Sequence, residues 1–185
     1  MREQTDTRAR IQEIALKLFT EQGYEATSLR EIAEALGVTK AALYYHFRTK
    51  DDILASMAED RQASMEHLIK WGKELPRTLE ARREFVRRYA DELFDSHHHE
   101  FMRFMERNQT ALREHPKFQK MRSLMGDLTS ILCDEGDSTA QRLRSSMAVF
   151  TLHVSWFLLQ EDDLTHAERK KAALEVAFEL IEPRL

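Results

Sequence analysis

Apolar positions recur along this chain at intervals of three and four, the period of helices that bury one face. Ile11, Ile14, Ala15, Leu18 and Phe19 fall at i, i+3, i+4, i+7 and i+8 and predict a first helix, with Gly23 as its C-terminal stop. Ser28, followed three residues later by Glu31, forms a capping box that opens a second helix, with Ile32, Ala33 and Leu36 turned inward. Gly37 ends that helix after barely two turns. Thr39 can cap a third, Lys40 to His46, of similar length. Thr49-Lys50-Asp51-Asp52 resembles another cap, ahead of a long fourth helix that carries Ile53, Leu54, Met57 and Leu68.

Pro76 marks a break, and longer helical stripes follow. Phe85, Val86, Tyr89, Leu93 and Phe94 make one; Phe101, Phe104 and Met105 make a short one. Pro116 suits the first position of the next helix, which carries Phe118, Met121, Leu124, Met125, Leu128 and Leu132. Ser138 with Gln141 and Thr165 with Glu168 predict helix starts near 139 and 166. The 185 residues include only 5 Gly and 3 Pro, and Ala, Leu, Glu, Arg and Lys are abundant, so the expectation is an all-α protein.

The segment from Arg30 to Thr49 carries the most information. Helices of two turns are marginal in water and persist only when packed. Here Ile32, Ala33, Leu36, Val38, Leu43 and Phe47 are available to pack them, and Gly37 can take the positive φ that a tight turn requires. Those are the constraints of a helix-turn-helix, whose second helix enters the major groove of DNA. Thr39, Lys40, Ala41 and Ala42 would face the groove floor, where Lys40 can donate to guanine and the alanine methyls can touch thymine methyls. Tyr44, Tyr45, His46 and Lys50 would reach flanking phosphates. The alternative is that Leu43 to Phe47 is an aromatic core stripe; Leu43 and Phe47, four apart, suit the core, while Tyr44 and Lys50 suit the DNA surface. Arg30 beside Glu31 and Glu34 also suits an ordinary solvent-facing position.

The run Ala26-Thr27-Ser28-Leu29-Arg30-Glu31-Ile32-Ala33, then Leu36 to Phe47, then Lys50, resembles the DNA-binding domain of the tetracycline-repressor (TetR) family. Ala15, Leu18, Phe19, Gly23 and Tyr24 fit the same pattern. The resemblance covers about a third of the chain. It implies a homodimer on a palindromic, double-stranded operator, usually a repressor released by a small molecule. By position it implies DNA contacts from Ser28, Arg30, Thr39, Lys40, Ala42, Tyr44, Tyr45, His46 and Lys50. The expected organisation is an N-terminal three-helix helix-turn-helix domain over 7–67 and a helical ligand-binding and dimerisation domain over 68–185.

Within that second part, methionine and aromatic residues suggest an apolar pocket, with Phe101, Phe104, Met105, Met121, Met125, Phe150, His153 and Trp156 as candidate lining. For any single one of them plain core is the more ordinary reading, since most of a helical apolar stripe packs against its neighbours. His153, the polar residue of the most apolar helix, can orient a ligand or be a satisfied core or interface histidine. Leu143, Met147, Phe150, Val154 and Phe157 on one helix, and Leu174, Ala177, Phe178 and Ile181 on the last, are candidate dimer faces or internal ones.

Charge alters this picture little. Of 28 basic and 32 acidic residues, 8 and 7 fall in the first fifty, so the N-terminal part is the less acidic but no strong basic patch. Binding to DNA must then depend on placement more than on total charge. His97-His98-His99-Glu100 lacks the i, i+4 spacing of helical metal ligands and reads as an interhelical loop; no metal and no cofactor are expected. A single cysteine, Cys133, permits no internal disulfide, and fits either a small buried side chain or a redox-sensing thiol. The charged N-terminus has no signal-peptide core, and the longest apolar run, Ala148 to Leu159, is too short to span a bilayer. A cytoplasmic protein that makes no membrane contact is expected. No nucleophile–base pair or phosphate loop stands at a recognisable spacing, so no enzymatic activity is expected.

Overall fold

A computed structural model describes residues 2–95, 101, 104, 105, 108, 116–159 and 163–182. Among the described residues there are eight helices and no strand: α1 (Arg2–Gln22), α2 (Leu29–Leu36), α3 (Lys40–His46), α4 (Lys50–Lys73), α5 (Leu79–Leu93), α6 (Pro116–Ile131), α7 (Thr139–Leu158) and α8 (His166–Ile181). They form two compact units, Met1–Ala63 with Ser96–Lys120, and Ser64–Asp95 with Met121–Leu185.

In the first unit α1 packs on α2 and α2 on α3. Ile11, Ala15, Leu16 and Phe19 of α1 meet a core completed by Ile32, Ala33, Leu36, Leu43, Phe47, Ile53 and Leu54, all buried. Leu16 joins the predicted face, whereas Ile14 and Leu18 lie half-buried at its margins. Both predicted stops take the left-handed conformation, Gly23 at φ 97° and Gly37 at φ 69°. Val38, expected in the core, is 38% exposed. It follows the left-handed Gly37, where the chain reverses and helical periodicity no longer assigns a side. The unit also takes in residues expected to belong to the C-terminal domain. Phe104 is fully buried, its ring 5.8 Å from that of Phe19 and 6.0 Å from that of Tyr24.

The second unit is built around α5, α7 and α8, with α8 packed on both of the others. Phe85, Val86, Tyr89 and Leu93 of α5 lie in one continuous core with Leu128, Leu132, Ala148, Val149, Leu152, Ala177 and Ile181. The apolar side of α8 is thus internal: Ala177 and Ile181 are fully buried, and Leu174 and Phe178 pack against the same core. Its reading as a partner-facing surface does not hold, because α5 and α7 already cover it. The stripe predicted on α7 does face outward, with Leu143 63%, Met147 43%, Phe150 45%, Val154 40% and Phe157 58% exposed. Arg169 is buried and spans the turn before its own helix, donating to the Leu159 carbonyl at 2.8 Å with its guanidinium 4.8 Å from the Trp156 ring.

Candidate nucleic-acid interface

The helix-turn-helix is α2, the turn at Gly37-Val38-Thr39, and α3. Its geometry follows from local hydrogen bonds. Ser28 is the N-cap of α2: its Oγ accepts from the Glu31 N–H at 3.3 Å, and the Glu31 carboxylate accepts from the Ser28 N–H and hydroxyl, both at 2.7 Å. Those bonds, from the hydroxyl first and the backbone second, hold the Glu31 carboxyl below the usual carboxylate range. At the other end of α2 the Gly37 N–H donates to Glu34 at 3.1 Å and the Val38 N–H to Ala33 at 3.0 Å, closing the helix as the chain turns. Thr39 then caps α3, its Oγ accepting from the Ala42 N–H at 3.2 Å.

Only Leu43 of α3 is buried; the rest of the helix is turned out. Lys40 and Ala42 are exposed, Tyr44 is 41% and Tyr45 75% exposed, and His46 is half-buried against the edge of the Tyr45 ring. Lys40 Nζ lies 5.3 Å from the centre of the Tyr44 ring, so a cation and an aromatic hydroxyl share one face. The groups that matched the groove-facing pattern in sequence are therefore together in space, at the N-terminal end of α3, where the helix dipole is positive. Tyr44, Tyr45 and His46 also line an open groove of about 290 Å³ whose other walls include Arg8 and Arg48. The sequence reading did not single out these two arginines. A basic residue just past the C-cap of α3 was the available signal for Arg48. Arg8 reaches the site because its guanidinium packs 4.9 Å from the ring centre of the α3 C-cap, Phe47.

Two positions are engaged within the protein. Arg30 is exposed and its Nε donates to Glu34 at 2.7 Å, an ordinary i, i+4 surface pair. Lys50 is turned inward, its ammonium donating to the carbonyls of Tyr24 at 2.7 Å and Glu25 at 3.3 Å. Its placement differs from the free phosphate-reaching cation that the sequence suggested. The reason is the turn after α1, whose carbonyls lie within reach and have no helical partner.

The candidate pocket residues are divided between the two units. Phe101 and Phe104 are buried in the first unit and Met105 is half-buried there. In the second unit Met125 is partly buried against the core, and Phe150 lies on the exposed stripe of α7. His153 pairs with the Tyr89 hydroxyl through Nε2 at 2.5 Å, and the Trp156 ring lies tilted against that of Phe94 at 4.9 Å and edge-on to His166 at 5.0 Å. The side chain of Met121, and the His97-His98-His99 cluster, lie outside the described residues. Among the described residues no group of three or more histidine, cysteine or acidic side chains is placed to hold a metal ion, and no helix is long and apolar enough to cross a membrane. Cys133 is half-buried, and burial raises its thiol above the ordinary range.

Residues 11–57 match the model of the family described as bacterial regulatory proteins, tetR family. The helix-turn-helix segment of this chain is thus similar to that of the tetR family, and the fold around it is the one seen in solved TetR/AcrR-family regulators. Among the relatives, the HTH-type transcriptional regulator AcrR of Shigella flexneri is 42% identical over 66 residues, which is 36% of this chain and 31% of that protein. The HTH-type transcriptional repressor KstR2 of Rhodococcus jostii (strain RHA1) is 36% identical over 78 residues, 40% of this chain and 38% of its own length. The match thus spans about a third of the length of these curated relatives. Likeness over the whole chain is one of fold: the TetR family regulator PfmR of Thermus thermophilus superposes with a TM-score of 0.70, covering 93% of this chain and 97% of that one at 24% identity.

Proposed function

We propose that this protein is a DNA-binding transcriptional repressor that acts as a homodimer on a palindromic operator and is released by a small, largely apolar effector. The observation that carries the reading is the exposed face of α3. Lys40, Tyr44 and Tyr45 project together from a helix whose only buried residue is Leu43, braced by caps at Ser28 and Thr39. That arrangement fits the floor and walls of a major groove, with Lys40 and Ala42 towards base edges and Tyr44, Tyr45 and His46 towards phosphates. Ser28 and Arg30 flank it from α2. The matched relatives are transcriptional regulators or repressors by name, which supports the same reading. A protein of this kind works beside the chromosome, in the cytoplasm.

The dimer reading rests on α7. Five apolar side chains at helical spacing, Leu143, Met147, Phe150, Val154 and Phe157, stand in solvent along one helix. A second copy would cover them by two-fold symmetry and bring two recognition helices to successive major grooves, roughly 34 Å apart. The effector reading rests on the aromatic and methionine content of the second unit and on a polar pair at its core, Tyr89 and His153. An effector that binds better when the two recognition helices are wrongly spaced lowers DNA affinity by that difference.

Selection of duplexes from a randomised pool tests the DNA-binding reading. The expected result is an enriched inverted repeat whose half-sites are centred about one or two helical turns apart. No enrichment at moderate salt would contradict it. Thermal-shift screening against a panel of apolar metabolites, followed by release of the selected duplex, tests the effector.

A further inference from the structure

Lys50 and Tyr24 stand beside the proposed interface and are engaged with each other. We infer that they are positioning residues for DNA binding, an internal clamp that fixes the start of α4 and, through it, the end of the recognition helix. This rests on the DNA-binding reading above and departs from the phosphate contact that the family resemblance implies for Lys50.

Several contacts converge on the pair. Lys50 Nζ donates to the Tyr24 carbonyl at 2.7 Å and the Glu25 carbonyl at 3.3 Å, lies 3.5 Å from the Glu25 carboxylate, and stands 4.4 Å from the centre of the Tyr24 ring. An ammonium has three donors, and here all three have acceptors inside the protein. To reach a phosphate, Lys50 would forgo two bonds to turn carbonyls and a cation–π contact. The Tyr24 ring is itself held, edge-on to Phe19 at 4.9 Å and beside Phe104 at 6.0 Å. Its hydroxyl donates to the Asp51 carboxylate, so the first two residues of α4 are tied to the same turn. Burial, then Asp51, raise the phenol well above its ordinary range, so the donor keeps its proton at any working pH.

The path from this clamp to α3 is short. The Asp52 carboxylate accepts from the N–H groups of Arg48 at 3.2 Å and Thr49 at 2.9 Å, and the Thr49 hydroxyl accepts from the Asp52 N–H at 3.0 Å. Phe47, Arg48 and Thr49 are the whole link between α3 and α4, and Phe47, the C-cap of α3, is buried. The end of α3 is thus fastened to the first turn of α4, which is fastened in turn to Tyr24 and Glu25. Loosening the clamp lets α3 sample orientations that do not fit the groove. It removes no charge from the DNA surface. A lysine already paired within the protein releases no counterion on binding, so it adds nothing to the salt dependence.

The test is a salt series of operator affinity for the intact protein, using the duplex selected by the wild type, from about 50 to about 300 mM KCl. Wild type, Lys50→Met, Tyr24→Leu and the double variant are compared at a temperature where circular dichroism shows each fully folded. The clamp predicts that each single variant binds several-fold more weakly, with the wild-type slope of log affinity against log salt. It also predicts that the double variant is no weaker than the weaker single variant, because both break one unit. A slope flattened by about 0.9 for each protomer bound identifies Lys50 as a phosphate contact and overturns the proposal. Losses that multiply overturn it as well. Should Lys50→Met not fold, Tyr24→Phe, which removes only the hydroxyl bonded to Asp51, must still weaken binding at unchanged slope; wild-type affinity in that variant overturns the clamp. A wild type that enriches no duplex at all removes the DNA-binding reading itself, and the clamp with it.

Discussion

Single side chains decide where the helices of this protein begin, and two of them make its stability depend on acid. Glu31 and Glu168 are each held below the ordinary carboxylate range, first by the hydroxyl of the capping residue, Ser28 or Thr165, and then by its backbone N–H. A depressed folded-state pKa gives a contribution that is complete above the unfolded value, about 4.3, and is lost as pH falls through the folded one. The melting temperature should therefore decline as the pH is lowered below about 4.3. In the variant carrying both Glu31→Gln and Glu168→Gln it should decline less steeply; equal declines would contradict this. Gly72 is another such position, for a steric reason. A Cβ there would stand 2.5 and 2.7 Å from ring carbons of Phe85 and 2.9 Å from Ile131 Cδ1. Phe85 is fully buried and its ring has nowhere to go. Gly72→Ala would gain about 1 kcal/mol of helix propensity, against overpacking at the upper end of about 1–3 kcal/mol. Urea denaturation should show a net loss of stability, and a gain would contradict the account.

At the scale of elements, α3 is the case to consider, because seven residues cannot hold a helix alone. Its N-terminal end depends on the Thr39 hydroxyl, so Thr39→Ala should cost about 1 kcal/mol in chemical denaturation. An unchanged midpoint would mean that packing alone sets the start of the helix. The same element shows what the sequence made legible. Lys40 to His46 was readable to the residue, because Thr39 and the left-handed Gly37 are local signals that act within three or four positions. The capping boxes at Ser28 and Thr165 were readable for the same reason. What escaped was set by partners distant along the chain. Lys50 points inward because carbonyls 25 and 26 residues earlier accept its protons. Phe104 is buried beside Phe19, 85 residues before it, which no periodicity within its own segment announces. The apolar stripes of α7 and α8 have the same period in sequence. Only packing distinguishes the exposed one from the one enclosed by α5 and α7.

At the scale of the whole molecule, the two features that carry the proposed function lie in different units, the α3 face in the first and the α7 stripe in the second. A repressor needs both, since one helix-turn-helix buries little surface on DNA and pairing doubles it. Phe150→Glu places a charge in the middle of the α7 stripe. It should shift sedimentation from dimer to monomer and weaken operator binding together, while a change in one without the other would separate dimerisation from function. The most direct measurement concerns the α3 face itself. Fluorescence anisotropy with the selected duplex would compare wild type with Lys40→Met and Tyr44→Ala, both at exposed positions whose loss leaves the core intact. The account predicts unchanged melting temperatures and an affinity lower by roughly tenfold or more for each, as removal of a direct groove or phosphate contact requires. Wild-type affinity in both variants would contradict it.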